Sequence, residues 1–431
     1  MKPRQLAFEL LQKLEKNDQF SNIMLDKALD GSGMSAEDKG LASILLYGVT
    51  ERRLTLDYQI AALSSRPLSE LDPSALTAIR IGLYQLIYMD RIPPHAAINE
   101  SVSLVSRKLS GFVNAILRAY TRTEGLRYPD PKDGFASYLS VRYSVGLPLC
   151  ERLISAYGEA RTESILQGFE RIPDTTLSVN TLRISRDGLA GHIDGAVPTE
   201  LSPIGLRVRG SVRELYGYSD GLFFVQDEAS QLCVLALGAS DGETVLDICA
   251  CPGSKSFGAA ISMKNQGQIR AFDLHAKKLP LIVSGAERLG INIISVAERD
   301  GRSFLPELEG AADRVLCDVP CSGFGVLSKK PELRYKDPSV SEALPDIQLA
   351  ILENACRYVK AGGTLVYSTC TVFPEENEKN VMRFLEKHKE FTLVPFSAGA
   401  LSVPEGYITL LPDTHPTDGF FISKLQRKEQ I

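Results

Sequence analysis

Apolar residues recur at helical spacing through the first 125 residues of the chain. The first stretch carries leucines at positions 6, 10, 11 and 14, which places them on one face of a helix. Further apolar stretches follow at 41–49, 75–89, 98–104 and 112–119, and prolines at 67, 73, 93 and 94 separate some of them. The pattern predicts a compact bundle of helices.

The middle of the chain mixes two periodicities. Residues 122–134 are rich in proline, glycine and charge, which is typical of a linker. Beyond it, 149–157 has helical spacing, whereas 176–182 and 205–209 alternate apolar and polar residues as strands do. These elements predict a small α+β domain.

The pattern changes again near residue 221, where buried strands alternate with helices. Strands are predicted at 243–248, 268–272, 292–296, 313–317 and 364–367, and helices at 255–263, 276–289 and 346–359. This alternation is typical of right-handed βαβ units, so we expect a mainly parallel sheet with helices on both faces. The predicted domains are a helical domain over 1–127, an α+β domain over 128–222 and an α/β domain over 223–431.

Composition is that of a folded protein and sets few limits on its partners. The 431 residues are 44% hydrophobic and carry a net charge of -5, most of it in residues 221–431. An acidic chain argues weakly against a nucleic-acid partner, but a local basic surface remains open upstream. No apolar run approaches the roughly 18 residues of a membrane span, and the N-terminus shows no signal peptide. We therefore expect a cytoplasmic protein with no membrane contact.

The eight cysteines are sparse, and nothing points to an oxidising compartment, so disulfides are not expected. Cys249 with Cys251, and Cys317 with Cys321, could be zinc ligands. One and three residues separate the members of these pairs, which is not the spacing of the common zinc modules. We therefore expect no metal site.

The loop after the first strand of the α/β domain is a candidate ligand site, because ligands bind beyond the carboxyl ends of such strands. The loop lacks the glycine fingerprints of dinucleotide and P-loop sites, so phosphate binding is not favoured. Gly253 still lets a ligand approach the backbone and the following helix closely. The residues of this loop are Cys249, Ala250, Cys251, Pro252, Gly253, Ser254 and Lys255.

Acidic residues follow the next three strands, namely Asp273, Asp300 and Asp318. Each alone is commonly a turn or cap residue. A carboxylate after each of three successive strands instead favours a site that binds ribose hydroxyls. The pattern predicts a nucleoside-type cofactor.

Two cysteines, Cys321 and Cys370, lie in loops that follow buried strands, whereas Cys150, Cys233, Cys317 and Cys356 sit in apolar or helical runs. A thiolate that adds to C6 of a cytosine makes C5 reactive toward a methyl sulfonium. Asp318 is placed to assist charge development at N3. Lys255 either holds substrate or tunes charge, or is an exposed structural lysine. Placement in loops does not decide which cysteine attacks.

These motifs resemble the NOL1/NOP2/Sun family of RNA 5-methylcytosine methyltransferases, over nearly the whole chain. The resemblance rests on 246–255, on 318–323, on 368–370 followed by 374–378, and on 418–421. It implies a Rossmann-like catalytic domain with a mainly parallel seven-stranded sheet, S-adenosyl-L-methionine as cofactor, and a ferredoxin- or RRM-like middle domain. It also implies that Cys370 is the nucleophile, that Cys321 helps to expel the product, and that 249–255, Asp273, Asp300 and Asp318 line the cofactor and base pocket. No Glu-Asn-Val sequence occurs here, which favours RNA over DNA.

The N-terminal bundle resembles NusB, an RNA-binding helical protein, and 111–118 resembles a motif of the Sun/Fmu (RsmB) subfamily. This fusion implies 16S ribosomal RNA, naked or partly assembled, as substrate for a monomeric enzyme. A transfer-RNA cytosine methyltransferase of the same family remains an alternative. So does a catalytically inactive RNA-binding assembly factor.

Two residues depart from the family pattern, since Cys251 replaces the usual alanine and Ser254 the usual glycine. Ser254 fits if its φ is not positive, or if serine tolerates a positive φ. Two groups of basic residues are usually solvated surface charges, with contact to RNA phosphate as the functional alternative: Arg207, Arg209 and Arg213, and Lys329, Lys330, Arg334 and Lys336. The target base must be unpaired or leave its stack to reach Cys370.

Overall fold

The computed structural model describes residues 2–15, 21–30, 32–172 and 174–429. It divides into two compact units, one formed by 1–170 with 327–338, the other by 171–326 with 339–431. In the described parts of the chain, no helix is both long enough and apolar enough to cross a membrane.

The first unit is built from ten helices within its described residues. They are α1 (Pro3–Leu14), α2 (Ser21–Leu29), α3 (Ala36–Glu51), α4 (Arg53–Leu63), α5 (Pro73–Tyr88), α6 (Pro94–Val102), α7 (Arg107–Tyr120), α8 (Phe135–Tyr143), α9 (Leu147–Tyr157) and α10 (Glu159–Gly168). The apolar faces of α1–α7 meet in one core that includes the fully buried Leu45, Leu56 and Leu83. The predicted helical bundle is confirmed.

Helix starts follow the local sequence, as α5 illustrates. Asp72 accepts hydrogen bonds from the backbone N–H groups of Ser74 and Ala75 at 2.8 and 3.3 Å. Pro73 occupies the first helical position, where its missing N–H costs nothing. Such a cap is worth about 1 kcal/mol, and it fixes where the central helix of this unit begins.

Residues 327–338 belong to this helical unit although they come late in the chain. Arg334 is completely buried and donates to the carbonyl oxygens of Tyr143 at 2.9 Å and Phe169 at 3.1 Å. The Tyr335 hydroxyl donates to the carbonyl oxygen of Thr50 at 2.5 Å. Both interpretations of Arg334, a solvated surface charge and a phosphate contact, are therefore wrong, because its guanidinium donates to backbone carbonyls inside the protein.

The second unit begins with a small antiparallel sheet in the order β2-β3-β1-β4. Its elements are β1 (Thr175–Val179), α11 (Arg186–Ala190), β2 (Val197–Pro198), β3 (Gly205–Val208) and β4 (Phe223–Val225). Alternate strand residues, among them Leu177, Leu206 and Phe223, form its core. The two strands predicted from alternation match β1 and β3.

A large sheet forms the rest of this unit, with the order β10-β14-β9-β8-β5-β6-β7 and with β13 added beside β14. Its strands are β5 (Thr244–Asp247), β6 (Gln268–Asp273), β7 (Ile294–Glu298), β8 (Ala312–Asp318), β9 (Val359–Thr369), β10 (Phe391–Leu393), β13 (Tyr407–Leu410) and β14 (Phe420–Arg427). A separate hairpin pairs β11 (Phe396–Ala398) with β12 (Leu401–Val403). Strands β5 to β9 pair in parallel, whereas β10, β13 and β14 add antiparallel pairs. The mainly parallel sheet is confirmed, with eight strands rather than seven.

Helices cover both faces of this sheet. They are α12 (Glu228–Leu237), α13 (Ser254–Ser262), α14 (Leu279–Leu289), α15 (Leu344–Ala355) and α16 (Glu378–Lys387). Successive strand residues alternate between two cores, so that Val245 packs with α12–α14 and Leu246 packs with α15. The chain runs from β5 outward to β7, then returns to the other side of β5 to form β8 and β9. This reversal opens a crevice at the carboxyl ends of β5 and β8.

The compact units do not coincide with the three predicted domains. Helices α8–α10 pack in the first unit, and the small sheet belongs to the second. The division into two compact units does not test where the three predicted domains begin and end, so the boundaries at 127 and 222 stay a prediction.

Candidate active site

Two pairs of loops meet at the carboxyl edge of the large sheet. The β5–β6 loops, residues 248–253 and 274–278, follow β5 and β6. The thiol loops, residues 319–326 and 370–377, follow β8 and β9 and hold Cys321 and Cys370. All the residues singled out from the sequence as a candidate site lie in or beside these loops, except Asp300, which follows β7.

The loop after β5 turns sharply into α13. The Ala250 N–H donates to the Phe272 carbonyl oxygen at 2.7 Å, which ties the loop to β6. Gly253 has φ +109°, and a Cβ at this position would lie 2.7 Å from the Phe257 ring. Ser254 begins α13 and is not among the non-glycine residues with positive φ in the described chain. The serine at 254 is therefore unstrained, since Gly253 alone takes the left-handed conformation.

Asp273, at the end of β6, faces this loop. Its Oδ2 accepts the Cys251 N–H at 3.2 Å, and its Oδ1 accepts the His275 N–H at 2.9 Å. Burial, and then the Asp273 carboxylate, raise the pKa of the Cys251 thiol to about 12. Cys251 is thus a neutral thiol at physiological pH, in keeping with a size match for alanine at this position.

Four carboxylates surround one thiol at this edge. Burial raises the pKa of Cys249, and the negative charges of Asp247, Asp318, Asp273 and Asp300 raise it further. Asp300 also binds the Arg302 guanidinium, with 2.6 Å between Nη2 and Oδ2. Asp273 and Asp318 thus end β6 and β8 at this edge, whereas Asp300 follows β7 and is paired with Arg302.

Asp247 is a fourth carboxylate, which sequence reasoning placed in a buried strand and not in the site. It is 1% exposed, and its Oδ2 accepts the Ser256 hydroxyl at 2.6 Å. Its Oδ1 has no hydrogen-bond partner among the described residues. Burial raises the pKa of Asp247 to about 7. The available signal was an acidic residue inside an apolar strand, which is rare without a polar role.

Lys255 and Asp318 form a buried ion pair beside the thiols. The Lys255 Nζ lies 2.6 Å from Asp318 Oδ2, and the Ser368 hydroxyl donates to Asp318 Oδ1 at 2.8 Å. Burial opposes the charge of Lys255, but Asp318 outweighs it and raises the lysine pKa above its ordinary value. Lys255 is only 8% exposed, so the alternative of an exposed structural lysine is wrong.

Cys321 and Cys370 face each other. Their sulfur atoms are 3.1 Å apart, and the Cys370 N–H donates to the Cys321 sulfur at 3.3 Å. The hydrogen bond that Cys321 makes to Cys370, together with burial, raises the pKa of Cys321 well above its ordinary value. Cys370 is in turn within the electrostatic reach of the Lys255 ammonium. Cys321 therefore keeps its proton.

A buried carboxylate, Glu376, holds the thiol loops together. Its Oε2 accepts the Ser322 N–H and the Gln348 side-chain amide, both at 2.9 Å. The Ser322 hydroxyl donates to the Thr371 hydroxyl at 2.8 Å, which joins one thiol loop to the other. Sequence reasoning noted 374–378 only as part of a motif. It could not find the role of Glu376, because its partners lie 54 and 28 positions away.

The backbones of the thiol loops also touch. The Gly325 N–H donates to the Cys370 carbonyl oxygen at 2.9 Å, and the Gly419 N–H donates to the Gly325 carbonyl oxygen at 2.7 Å. A Cβ at Gly325 would lie 1.9 Å from the Gly419 carbonyl oxygen. Only glycine at 325 allows this approach, which places the carbonyl of Cys370 against the other loop.

Comparison with known proteins gives this geometry a family. Residues 234–426 match the model for the 16S rRNA methyltransferase RsmB/F, and residues 1–122 match the NusB family. A relative from Synechocystis named probable ribosomal RNA small subunit methyltransferase B is 36% identical over 98% of this chain and 99% of its own. The chain belongs to the RsmB/F methyltransferase family. A Bacillus subtilis relative with the same name is 34% identical over 99% of this chain and 98% of its own.

A solved structure of a protein designated PH0851 is similar over 99% of both chains, with 28% identity and a TM-score of 0.81. The predicted NusB-like domain and the family resemblance are confirmed. The RsmB/F enzymes are S-adenosylmethionine-dependent methyltransferases, and the predicted cofactor is confirmed with the family. The β5–β6 loops fit such a cofactor, since Gly253 leaves the turn open and Asp273 presents a carboxylate beside it.

Proposed function

We propose that this RsmB/F family protein methylates C5 of a cytosine in 16S ribosomal RNA through a covalent bond between Cys370 and C6 of the base. The observation that carries this proposal is the pair of thiols 3.1 Å apart beside a buried lysine–aspartate pair. Two facing thiols are what a reaction needs when one sulfur bonds to the base and must later leave it. The names of the relatives support small-subunit ribosomal RNA as the substrate.

Cys370 is the nucleophile in this scheme. Its sulfur adds to C6, the C5=C6 double bond supplies electrons to C5, and negative charge develops toward N3. The Lys255 ammonium stabilises the Cys370 thiolate before attack, because opposite charges in a buried site interact strongly. When bound, S-adenosylmethionine supplies the electrophilic methyl group.

Asp318 and Lys255 assist at N3. Asp318 accepts hydrogen bonds from Lys255 and from Ser368. We infer that Asp318 orients the ring and that the Lys255 ammonium, 2.6 Å from Asp318 Oδ2, donates the proton that N3 takes up.

Cys321 acts at product release. The C5 proton passes to water, the electrons of the C5–H bond restore the C5=C6 double bond, and the C6–S bond breaks to leave the Cys370 sulfur as a thiolate. The protonated Cys321 thiol, already directed at that sulfur, stabilises it as it leaves. This division of roles makes Cys321 dispensable for bond formation and necessary for turnover.

The cofactor is proposed to lie against 249–255, Asp273, Asp300 and Asp318. Asp273 would accept the ribose hydroxyls, after giving up or sharing its present hydrogen bond from Cys251. We further propose that the NusB-like domain binds RNA, and that the protein acts as a monomer in the cytoplasm. Size-exclusion chromatography with light scattering tests the monomer.

The decisive experiment compares bisulfite sequencing of 16S ribosomal RNA from cells with and without this protein. A cytosine that loses protection only in the deletion strain supports the proposal. Protection that returns with wild-type protein but not with Cys370→Ala supports the assigned chemistry. If the 16S pattern is unchanged and a transfer-RNA methylation is lost, the substrate is transfer RNA and not 16S ribosomal RNA. No change in either RNA would contradict the enzymatic activity.

A further inference from the structure

A second cluster of chemically reactive side chains lies at the opposite edge of the large sheet. Cys356 follows α15 and precedes β9, so it sits near the amino end of the strand whose carboxyl end leads to Cys370. His388 caps the end of α16, and Glu390 immediately precedes β10. The methyl-transfer scheme uses none of these three residues.

Their ligand atoms converge. The Cys356 sulfur lies 3.7 Å from His388 Nδ1, and the same nitrogen lies 3.1 Å from Glu390 Oε1. All three atoms lie within 4.8 Å of one another. Among the residues that the structure describes, this is the one group of three histidine, cysteine or acidic side chains with metal-binding geometry.

We propose that Cys356, His388 and Glu390 bind a divalent transition-metal ion of the zinc class. Tetrahedral zinc, with bonds of about 2.3 Å to sulfur and about 2.0 Å to nitrogen or oxygen, would place S and N about 3.5 Å apart and N and O about 3.3 Å apart. The observed separations of 3.7 and 3.1 Å each differ from these by about 0.2 Å. Thiolate, imidazole and carboxylate together favour zinc or cobalt over magnesium or calcium.

The surroundings hold the three ligands in place. The His388 ring stacks on Phe384 with 4.5 Å between centroids, which fixes the plane in which Nδ1 points. The turn that carries Glu390 is closed by two backbone bonds, from the Phe391 N–H to the His388 carbonyl oxygen and from the Lys428 N–H to the Glu390 carbonyl oxygen. Ligands fixed by their neighbours lose little freedom when an ion binds.

The site is open on one side. Cys356 is 3% exposed, whereas the side chains of His388 and Glu390 are 23% and 47% exposed. An ion could therefore enter from solvent, bind the sulfur from the protein side and keep a water as its fourth ligand. On binding, the S–H bond of Cys356 breaks, the bond from sulfur to metal forms and the proton passes to water.

Two cationic side chains near the Cys356 sulfur already contact other groups. The Arg427 guanidinium donates to the Val359 carbonyl oxygen at 2.6 Å, and that of Arg357 stacks over the Phe304 ring at 3.2 Å. The carboxylate of Glu353 pairs with Lys387 at 2.7 Å, and its carbonyl oxygen accepts the Cys356 thiol at 3.1 Å. The cysteine spacing that argued against zinc concerned the pairs Cys249–Cys251 and Cys317–Cys321. The site proposed here instead takes its other two ligands from residues 32 and 34 positions after Cys356.

The test titrates Co²⁺ into the full chain and follows the charge-transfer absorption that a thiolate–cobalt bond produces. Two variants act as controls. The double variant Cys321→Ser with Cys370→Ser removes the other close pair of thiols, and Cys150→Ser replaces an equally buried cysteine of the helical unit. We expect one bound Co²⁺ with this absorption in the wild type and in both controls.

Cys356→Ser should abolish the absorption, and His388→Ala and Glu390→Gln should each weaken binding by at least about tenfold. Competition by Zn²⁺ should bleach the signal. Absorption that survives in Cys356→Ser, or that disappears only in the double variant, would overturn the proposal. If Cys356→Ser fails to fold by circular dichroism, the two exposed variants decide, and unchanged affinity in both refutes the site. The outcome is independent of the proposed methyl transfer.

Discussion

The two pairs of loops at the carboxyl edge of the large sheet are held in place in different ways. The thiol loops are joined by buried side chains, with Glu376 and the hydroxyls of Ser322 and Thr371 at the centre. The β5–β6 loops are joined by one backbone hydrogen bond and by Asp273, a partly exposed carboxylate that also contacts solvent. Covalent chemistry depends on sulfur positions fixed before substrate arrives, whereas a ligand-binding loop can complete its contacts when the ligand enters.

The largest expected difference in activity is between a variant of a cysteine in the thiol loops and a variant of a cysteine in the β5–β6 loops. Cys370→Ala should lower methyl transfer by more than about 10³-fold, because the nucleophile is removed. The matched variant Cys251→Ala should keep most activity, since Cys251 is a protonated thiol to which the proposed scheme gives no chemical role. A single-turnover assay with radiolabelled methyl groups measures both. Equal losses in the two variants would mean that the thiol loops have no special role.

Cys321→Ala should separate bond formation from release. We expect turnover to fall by roughly 100-fold or more while a covalent protein–RNA complex accumulates, because the thiol directed at the Cys370 sulfur is lost. Denaturing gel electrophoresis detects the complex. The double variant with Cys370→Ala is its control and should form none. A complex that persists in the double variant would assign attack to another residue.

Glu376→Ala tests what holds the thiol loops. The change leaves the buried N–H of Ser322 and the amide of Gln348 without an acceptor, so we expect a loss of about 3 kcal/mol in the free energy of unfolding. Activity should fall by roughly 100-fold through misplaced sulfur atoms. Glu376→Gln keeps one acceptor oxygen and should recover part of both. Urea denaturation and turnover rates measure the effects. A stable, fully active Glu376→Ala protein would show that the network is not needed.

Lys255→Met probes the ion pair. We expect a loss of about 2 kcal/mol in unfolding free energy, less than for a fully buried pair because Asp318 is partly exposed. Asp318 raises the pKa of folded Lys255, so this stabilisation is complete below the ordinary lysine pKa of about 10.4. It is lost as the pH rises through the higher folded value. The denaturation midpoints of the wild type and the variant should therefore differ fully at pH 8 and approach each other only as the pH rises above about 10.4. If the two midpoints stay equally far apart at high pH, the conclusion that this ion pair stabilises the folded protein is wrong.

Asp247→Asn should change stability only over a limited range of pH. Burial raises the folded pKa of Asp247 to about 7, while the unfolded chain loses the same proton near pH 4. Stability from the neutral carboxyl is complete below about pH 4 and is lost as the pH rises toward 7. The wild type should lose on the order of 3 kcal/mol more than the variant between pH 4.5 and 7.5. Urea midpoints at pH 4.5 and 7.5 measure it, and parallel losses would show that Asp247 does not titrate there.

The sequence predicts the site where its signals are local. Cys321 and Cys370 each follow an apolar strand, and Asp273 and Asp318 end strands, so short windows sufficed to place them together. Helices and parallel strands were found for the same reason. The antiparallel edge strands β10 and β13 were missed, because they are short and their pairing with β14 joins distant segments.

Contacts that depend on tertiary packing could not be predicted. Lys255 looks like a surface residue at a helix start until β8 places Asp318 beside it. Arg334 follows a polar loop, where a solvated charge or a phosphate contact is expected, yet it lies inside the helical unit. Charge on a side chain does not by itself indicate exposure, since a buried guanidinium is tolerated when carbonyl oxygens satisfy it. The locations of Arg207 and Arg209 on β3, or just after it, leave their RNA contacts a prediction.

The residues 327–338 give the protein an unusual kind of modularity. The chain passes between its two compact units at 170, at 326 and again at 338, so the helical unit is discontinuous in sequence. A gene fragment that kept only residues 171–431 would encode Arg334 and Tyr335 without Tyr143, Phe169 and Thr50, whose carbonyls they bind.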